Sequence, residues 1–197
     1  MTFFGRSRRE EAAYLSFFYP DSDVLINHLN IRDFSALEAA ERAFVSRRMM
    51  QPLPAAATPL TYEGFKAIHR HLFQDVYAWA GSIRTYTSGR GPAPVAMPEF
   101  IDQSMEAQFA RVGRSKELRG ISPSGFAQHA AALVNEINAV HPFVEGNGRT
   151  QRVWLRLLGA EAGHKITLRS EDRDAWYDAS RVGFERQDHR PMEALIA

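Results

Sequence analysis

His141-Pro142-Phe143-Val144-Glu145-Gly146-Asn147-Gly148-Arg149-Thr150-Gln151-Arg152 is the stretch from which the rest of the chain can be ordered. A histidine, a carboxylate, an amide between two glycines and two arginines fall within twelve residues. Upstream, Phe126, Ala130, Leu133, Ile137 and Val140 recur at spacings of three and four. They form one apolar stripe of a helix that opens at Ser122-Pro123, a good N-cap and first-turn pair, and runs into His141. Pro142 takes the chain out of helix there. Downstream, a second helix begins between Asn147 and Arg149, continues through Val153-Trp154-Leu155 and Leu157-Leu158, and stops near Gly163. The twelve residues therefore form the turn between two core helices, with Phe143 anchoring it inward. The bland reading is a glycine-rich tip with solvated charges, in which His141 caps a helix and Glu145 pairs with a neighbouring arginine.

Working outward, the remaining chain is also helical. Ser35-Ala36-Leu37-Glu38 reads as a capping box opening a helix that reaches about Met50. Gln51 to Pro59, with three prolines, reads as a linker. Thr61 is the next N-cap, followed by Phe65, Ile68, Leu72 and Val76 on one face; Gly81 is placed just past that segment's end. His69 and His71, two apart, point to different faces and do not make a helix-borne metal pair. Ile83 to Thr87, the turn chemistry of Ser88-Gly89-Arg90-Gly91-Pro92 and the return Pro94-Val95-Ala96 mark the one expected β-hairpin. Pro98 opens a helix carrying Ile101, Met105, Phe109 and Val112 inward. Ser170-Glu171-Asp172 is expected to cap another, with Trp176 and Tyr177 packed inward, and Pro191 to Ile196 forms a short last helix. The cluster Tyr14, Leu15, Phe17, Phe18 and Tyr19, stopped by Pro20-Asp21, is expected to pack on the core. The fold class is all-α, a helical bundle with a small β-hairpin: residues 1–34 are an N-terminal extension and 35–197 a single domain.

Composition narrows the function. The chain has 197 residues and no cysteine, so thiol nucleophiles, disulfides and thiolate zinc are excluded. Lys and Arg number 24 against 23 Asp and Glu, a formal charge of +1. That balance disfavours a duplex-wrapping protein, a DNA-reading helix–turn–helix or a polybasic membrane anchor. No apolar run approaches the length of a membrane span and no signal-peptide core follows the first arginines, so the expected location is the cytoplasm.

The chemistry of the central turn is that of a phosphate receptor. Gly146-Asn147-Gly148 at a helix start allows φ > 0 and an anion-binding nest of N–H groups, reinforced by the helix N-terminus. Arg149 and Arg152, three apart, lean toward the same ligand. Glu145 beside phosphates suggests Mg²⁺, which is commonly held by one or two carboxylates plus phosphate oxygens. His141, neutral near pH 7, can accept a proton from a hydroxyl nucleophile. Together these describe hydroxyl attack on a metal-bound nucleotide phosphate, with positioning and charge neutralisation supplying most of the acceleration.

The same residues resemble the signature of the Fic family, His-Pro-Phe-x-Asp/Glu-Gly-Asn-Gly-Arg-x-x-Arg, with every specified position filled. His71 to Gly81 followed by Arg84 is similar to the family's helix leading to its flap hairpin. The resemblance implies a Fic fold and transfer of AMP from ATP to a Ser, Thr or Tyr hydroxyl of a target protein, with release of pyrophosphate. It implies His141 as general base, Glu145 as the Mg²⁺ ligand, and Gly146, Asn147 and Gly148 as the phosphate cradle. Arg149 and Arg152 would hold the β- and γ-phosphates. Thr87, Ser88, Gly89, Arg90 and Gly91 would lie in the flap that docks the target by strand pairing. The family's flap often carries Lys-Gly and Phe; here Arg90-Gly91 and Val95 stand there, with Pro92 and Pro94 nearby. Gly148 favours AMP transfer, because the phosphorylating branch carries Lys at that position. Other donors, such as UTP, GTP or CDP-choline, and a non-catalytic nucleotide-binding module stay open. Many relatives restrain themselves with Ser/Thr-x-x-x-Glu-Gly/Asn. Only Glu63 and Glu145 precede Gly or Asn here, with Pro59 and His141 four residues before them. The resemblance therefore implies a toxin controlled by a separate small antitoxin, with the ATPase subunits of DNA gyrase and topoisomerase IV among the targets of such systems.

Overall fold

In a computed structural model, the chain is described over residues 6–90, 93–112, 118–169 and 172–197. Eight helices occupy these residues: α1 (Arg8–Leu15), α2 (Phe34–Met49), α3 (Tyr62–Phe73), α4 (Ile101–Val112), α5 (Pro123–Val140), α6 (Asn147–Ala162), α7 (Arg173–Arg186) and α8 (Arg190–Ile196). One antiparallel ladder joins β1 (Gly89–Arg90) to β2 (Ala93–Pro94), pairing Gly89 with Pro94 and Arg90 with Ala93. The fold is all-α.

Helix α5 is the axle. Ser122 caps it by accepting from the Gly125 N–H at 3.1 Å, and Pro123 sits in its first turn. Its apolar stripe is buried throughout, and the helix packs against α4, α6, α7 and α8. Helix α3 packs on α2 and α6. Between α3, α4 and α6 lies an aromatic cluster of Phe65, Phe109 and Trp154, and Phe143 stacks on Phe65 with ring centroids 5.6 Å apart. Phe143 has no exposed surface, so the loop after α5 is pinned into the core by a large apolar side chain. Gly183 of α7 lies directly against Asn135 of α5; a Cβ there would stand 2.4 Å from the Asn135 amide nitrogen, so a side chain would push the two helices apart.

Several elements differ from the sequence reading, each for a local reason. Asp33, not Ser35, is the N-cap of α2: its Oδ1 accepts from the Ala36 N–H at 2.8 Å and from the Ser35 hydroxyl at 2.6 Å. A carboxylate at the N-terminus outcompetes the hydroxyl two residues on. Helix α3 ends at Phe73, well before Gly81, which takes φ +88° in a later turn with Arg70 packed where its Cβ would be. Val76 is nonetheless buried. Trp176 faces inward as expected, whereas Tyr177 is 59% exposed. Asp172 precedes α7 but accepts from the Arg169 N–H at 2.6 Å instead of capping the helix; Ser170 and Glu171 lie outside the described residues. The helix α1 went unread in the sequence. Its signal was present, since Ser7 and Glu10 form a capping box, Ser7 accepting from the Glu10 N–H at 3.2 Å and Glu10 accepting from the Ser7 N–H at 3.0 Å. Tyr14 and Phe17 pack on Tyr86, at 5.0 and 5.6 Å between ring centroids.

Candidate active site

The geometry of the central turn starts with His141. It caps α5 in the left-handed conformation (φ 51°, ψ 62°) while its N–H still donates to Ile137 O at 3.1 Å. The following proline disfavours right-handed helix at this position, and histidine is among the non-glycine residues that visit the left-handed region. Asn147 then closes the loop on itself. Its Oδ1 accepts from the Phe143 N–H at 3.0 Å and its Nδ2 donates to Phe143 O at 2.9 Å, deep in the fold. The side chain of Asn147 is thereby consumed by the frame, and what it offers a ligand is its backbone N–H.

The two glycines do different jobs, which corrects the expectation that both provide φ > 0. Gly146 does, at φ +83°, and a Cβ there would lie 2.2 Å from Phe73 Cζ. Gly148 is ordinary helix in the first turn of α6. A Cβ at Gly148 would meet Trp176 Nε1 at 3.6 Å, an ordinary contact. The fold requires glycine at 146 and does not require it at 148. No side chain caps α6, so its first N–H groups and positive dipole end face outward beside that small residue.

The charges around this helix start are unequal. Arg149 is held on both nitrogens: Nη1 pairs with Glu41 of α2 at 2.6 Å and Nη2 with Glu145 at 3.2 Å. Its guanidinium also lies 4.7 Å from the Phe73 ring centre. The other oxygen of Glu41 accepts from the Tyr77 hydroxyl at 2.5 Å. Burial, then the charge of Glu41, push the Tyr77 phenol above its ordinary range, so it stays a donor. Glu145 Oε1 also accepts from the Gly146 N–H at 2.7 Å, over the mouth of the turn. Arg152 differs. It is partly buried, and no carboxylate pairs with it among the described residues. Burial, then the charges of Arg149, Arg156 and Arg173, pull its pKa below the ordinary arginine range, against a smaller opposing effect of Asp172. A cation held among cations at a helix N-terminus is a receptor for a multiply charged anion.

Three residues that the sequence reading left unassigned build the site's walls. His69 of α3 is fully buried between Phe143 and Phe73, with ring centroids at 3.9 and 4.7 Å. Its Nδ1 accepts from the Gly81 N–H at 2.8 Å, which places its proton on Nε2, the atom 2.9 Å from Glu145 O. Arg84 is buried and donates through Nε to His141 O at 2.8 Å, through Nη1 to Tyr86 O at 2.6 Å, and through Nη2 to Val140 O at 3.0 Å and to Ala96 O. Desolvation lowers its pKa to about 10, so it stays charged at neutral pH. Glu10 of α1 accepts from the Thr87 N–H at 3.0 Å while Arg6 Nε donates to Thr87 O at 2.7 Å, so the N-terminal helix grips the strand that leads into β1. Hydrogen bonding to the Thr87 hydroxyl, then to Ser7, holds the Glu10 carboxyl at about 2. Ser88 O accepts from the Val95 N–H at 3.1 Å, and Ala96 N–H donates to Ala139 O at 3.3 Å. The hairpin base thus stands beside the C-terminus of α5. Of the expected flap residues, Thr87, Ser88 and Gly89 are placed here and the backbone of Arg90 pairs in β1; Gly91 lies outside the described residues.

The profile of the Fic/DOC family matches residues 59–158, from the turn before α3 to α6. The chain belongs to the Fic/DOC family. It is 40% identical over 179 residues to "Probable protein adenylyltransferase y4lH" of Sinorhizobium fredii, covering 90% of this chain and 92% of that one. It is 29% identical over 171 residues to "Probable protein adenylyltransferase Fic" of Escherichia coli, covering 85% and 83%. Among solved structures, BepC of Bartonella tribocorum with bound AMPPNP superposes with a TM-score of 0.81 at 22% identity, over 92% of this chain and 94% of that one, which establishes the Fic fold. The family profile begins after α1 and α2, whereas the Sinorhizobium fredii relative and the solved Fic structure align over 90% or more of the chain.

The His69 environment makes stability depend on pH. Burial lowers its pKa from the ordinary histidine value of 6.5 to about 4 in the folded chain. Between those values the unfolded chain binds the extra proton, so stability is intact above pH 6.5 and falls as pH drops toward 4. The expected loss is on the order of 2–3 kcal/mol. Urea titrations across pH 4–7 should show this fall, and His69→Gln should flatten it; parallel curves for the two proteins would contradict the assignment.

Proposed function

We propose that the chain is a protein adenylyltransferase that moves AMP from ATP to a Ser, Thr or Tyr hydroxyl of a target protein. The observation that carries the reading is Arg152: a partly buried cation with no carboxylate at ion-pair distance among the described residues, crowded by Arg149, Arg156 and Arg173 and offset only in part by Asp172, in the second turn of a helix with no side-chain cap. Such a site is electrostatically incomplete without a polyanion. Gly148 supports it, because only a ligand gives a reason for the missing side chain there.

In this reading the triphosphate lies across the start of α6, on the N–H groups at Asn147 and Gly148, with Arg149 and Arg152 on the β- and γ-phosphates. His141, at the end of α5, takes the proton of the target hydroxyl. The hydroxyl oxygen bonds to the α-phosphorus, the bond from that phosphorus to the β-phosphate bridging oxygen breaks, and pyrophosphate leaves with its electrons. Glu145 suits a Mg²⁺ shared with the substrate: it is a half-exposed carboxylate beside the phosphate site. No group of three or more His, Asp or Glu among the described residues would cage a metal unaided, which fits an ion held partly by phosphates. A Mg²⁺ held there by Glu145 would supply neutralisation of phosphate charge. The hairpin of β1 and β2, anchored at Thr87 by Glu10 and Arg6, would present the target segment by strand pairing.

The reading extends to control and setting. The chain contains no Ser/Thr-x-x-x-Glu-Gly/Asn, and Arg152 is left for a glutamate supplied by a separate small antitoxin. No described helix is long and apolar enough to cross a membrane. In this reading the enzyme works in the cytoplasm, where the ATPase subunits of DNA gyrase and topoisomerase IV are the first targets to test.

Incubation with a bacterial lysate, Mg²⁺ and ATP labelled at either the α- or the γ-phosphate tests the chemistry. Protein label is expected from α-labelled ATP alone and is expected to vanish in His141→Ala; label from γ-labelled ATP, or transfer that survives the substitution, would overturn the assignment. Gly148→Ala separates fold from ligand. The melting temperature should hold or rise, since alanine favours helix by up to about 1 kcal/mol, while ATP affinity should fall at least tenfold. Unchanged affinity would remove Gly148 from the phosphate site.

A further inference from the structure

Arg149 and Arg152 stand one helical turn apart, yet the fold treats them differently. Arg152 is met by no carboxylate among the described residues, whereas Arg149 is engaged by two. One of these, Glu145, is half-exposed on the ligand side of the turn. The other, Glu41, reaches over from α2, with its side chain only 9% exposed. Glu41 is itself fixed. Its Oε1 meets Arg149 Nη1 at 2.6 Å, and its Oε2 accepts from the buried Tyr77 hydroxyl at 2.5 Å. Tyr77 is held in turn by stacking on Trp79, 4.4 Å between ring centroids and nearly parallel. Phe73 closes the third side of the guanidinium.

A buried carboxylate is costly to keep charged unless it is paired and its remaining lone pairs are filled. Here both oxygens are filled, and the pairing falls on a residue that the family signature places at the phosphates. We propose that Glu41 is a positioning residue for nucleotide binding: it fixes Arg149 by one nitrogen against Phe73, leaving the edge now shared with Glu145 to receive a phosphate. This rests on the part of the proposed function that seats ATP at the start of α6, not on the transfer of AMP. It divides labour between the arginines. Arg149, its charge offset by Glu41, supplies an oriented hydrogen-bond donor, and Arg152, which Asp172 offsets only in part, supplies the larger free charge. It also gives the helix α2, which precedes the segment that carries the signature, a part in the site. A guanidinium that must be ordered by the ligand itself binds more weakly than one ordered in advance.

The alternative is that Glu41 merely competes with phosphate for Arg149. The two differ in sign. Calorimetric titration of the full chain with ATP, in Glu41→Gln, Arg149→Ala and the double variant, decides between them. Positioning predicts that Glu41→Gln weakens ATP binding tenfold or more and that the same change in the Arg149→Ala background has no further effect. Unchanged or tighter binding in Glu41→Gln, or an equal loss in both backgrounds, would overturn the proposal, since a general structural defect would act without Arg149. If Glu41→Gln does not fold, Tyr77→Phe serves: it frees one oxygen of Glu41 and keeps the ion pair, and should weaken ATP binding two- to fivefold, whereas wild-type affinity would refute positioning. A wild-type chain that binds ATP but transfers no AMP would overturn the adenylyltransferase reading and leave this one intact.

Discussion

A single buried guanidinium joins the two halves of the site. Arg84 gathers the carbonyls of Val140 and His141 at the end of α5 and those of Tyr86 and Ala96 at the base of the hairpin, while its own N–H donates to Pro142 O at 2.8 Å. No carboxylate pairs with it among the described residues; its charge is met by oriented carbonyls, two of them from the negative end of a helix. Each carbonyl left without a donor costs about 1–3 kcal/mol in a buried setting. The left-handed turn at His141 and the placement of the hairpin beside it therefore depend on the same side chain. This explains how a loop and a hairpin with only two paired residues per strand keep a fixed relation without an extended sheet.

A second dependence runs through the aromatic layer beneath the turn. Phe143 anchors the loop from below, His69 stacks on it and bonds both Gly81 and Glu145, and Phe73 fills the space that only a glycine at 146 leaves open. Polar groups at the mouth are thus set by apolar packing underneath. Glu145, which is exposed, and the first turn of α6, which is partly buried, are carried on this close-packed floor.

Much of this was legible in sequence. The stripe on α5, the Ser122-Pro123 start and the break at Pro142 follow from periodicity and local stereochemistry, and the twelve-residue turn lies where those rules place it. What escaped was long-range. Glu41 reads as one more charge on a helix surface until the bend of the chain lays α2 against α3 and turns that face toward Arg149. In sequence His69 has only His71 as an evident companion, whereas its partners are 12 and 76 residues away. Glu10 meets Thr87 across 77 residues, and no local pattern encodes that. The helix boundaries that moved, at Asp33 and Phe73, were competitions between nearby caps and turns that a few tenths of a kcal/mol decide. The glycine pair misled because a Gly-x-Gly pattern carries two physical meanings. Gly146 is there for its dihedral angle and for the space that Phe73 fills, whereas the fold leaves room for a side chain at 148, and only the folded chain separates the two.

The most direct measurement is a crystal structure with Mg²⁺ and a non-hydrolysable ATP analogue. The triphosphate is expected over the first turn of α6, with Arg152 on its terminal phosphates and Glu145 turned from the Gly146 N–H and Arg149 toward the metal. The His141 ring should face the α-phosphate. A nucleotide bound elsewhere, with Glu145 still closed over the Gly146 N–H and Arg152 without an anion, would contradict the central claim that this turn is the phosphate receptor of a transferase.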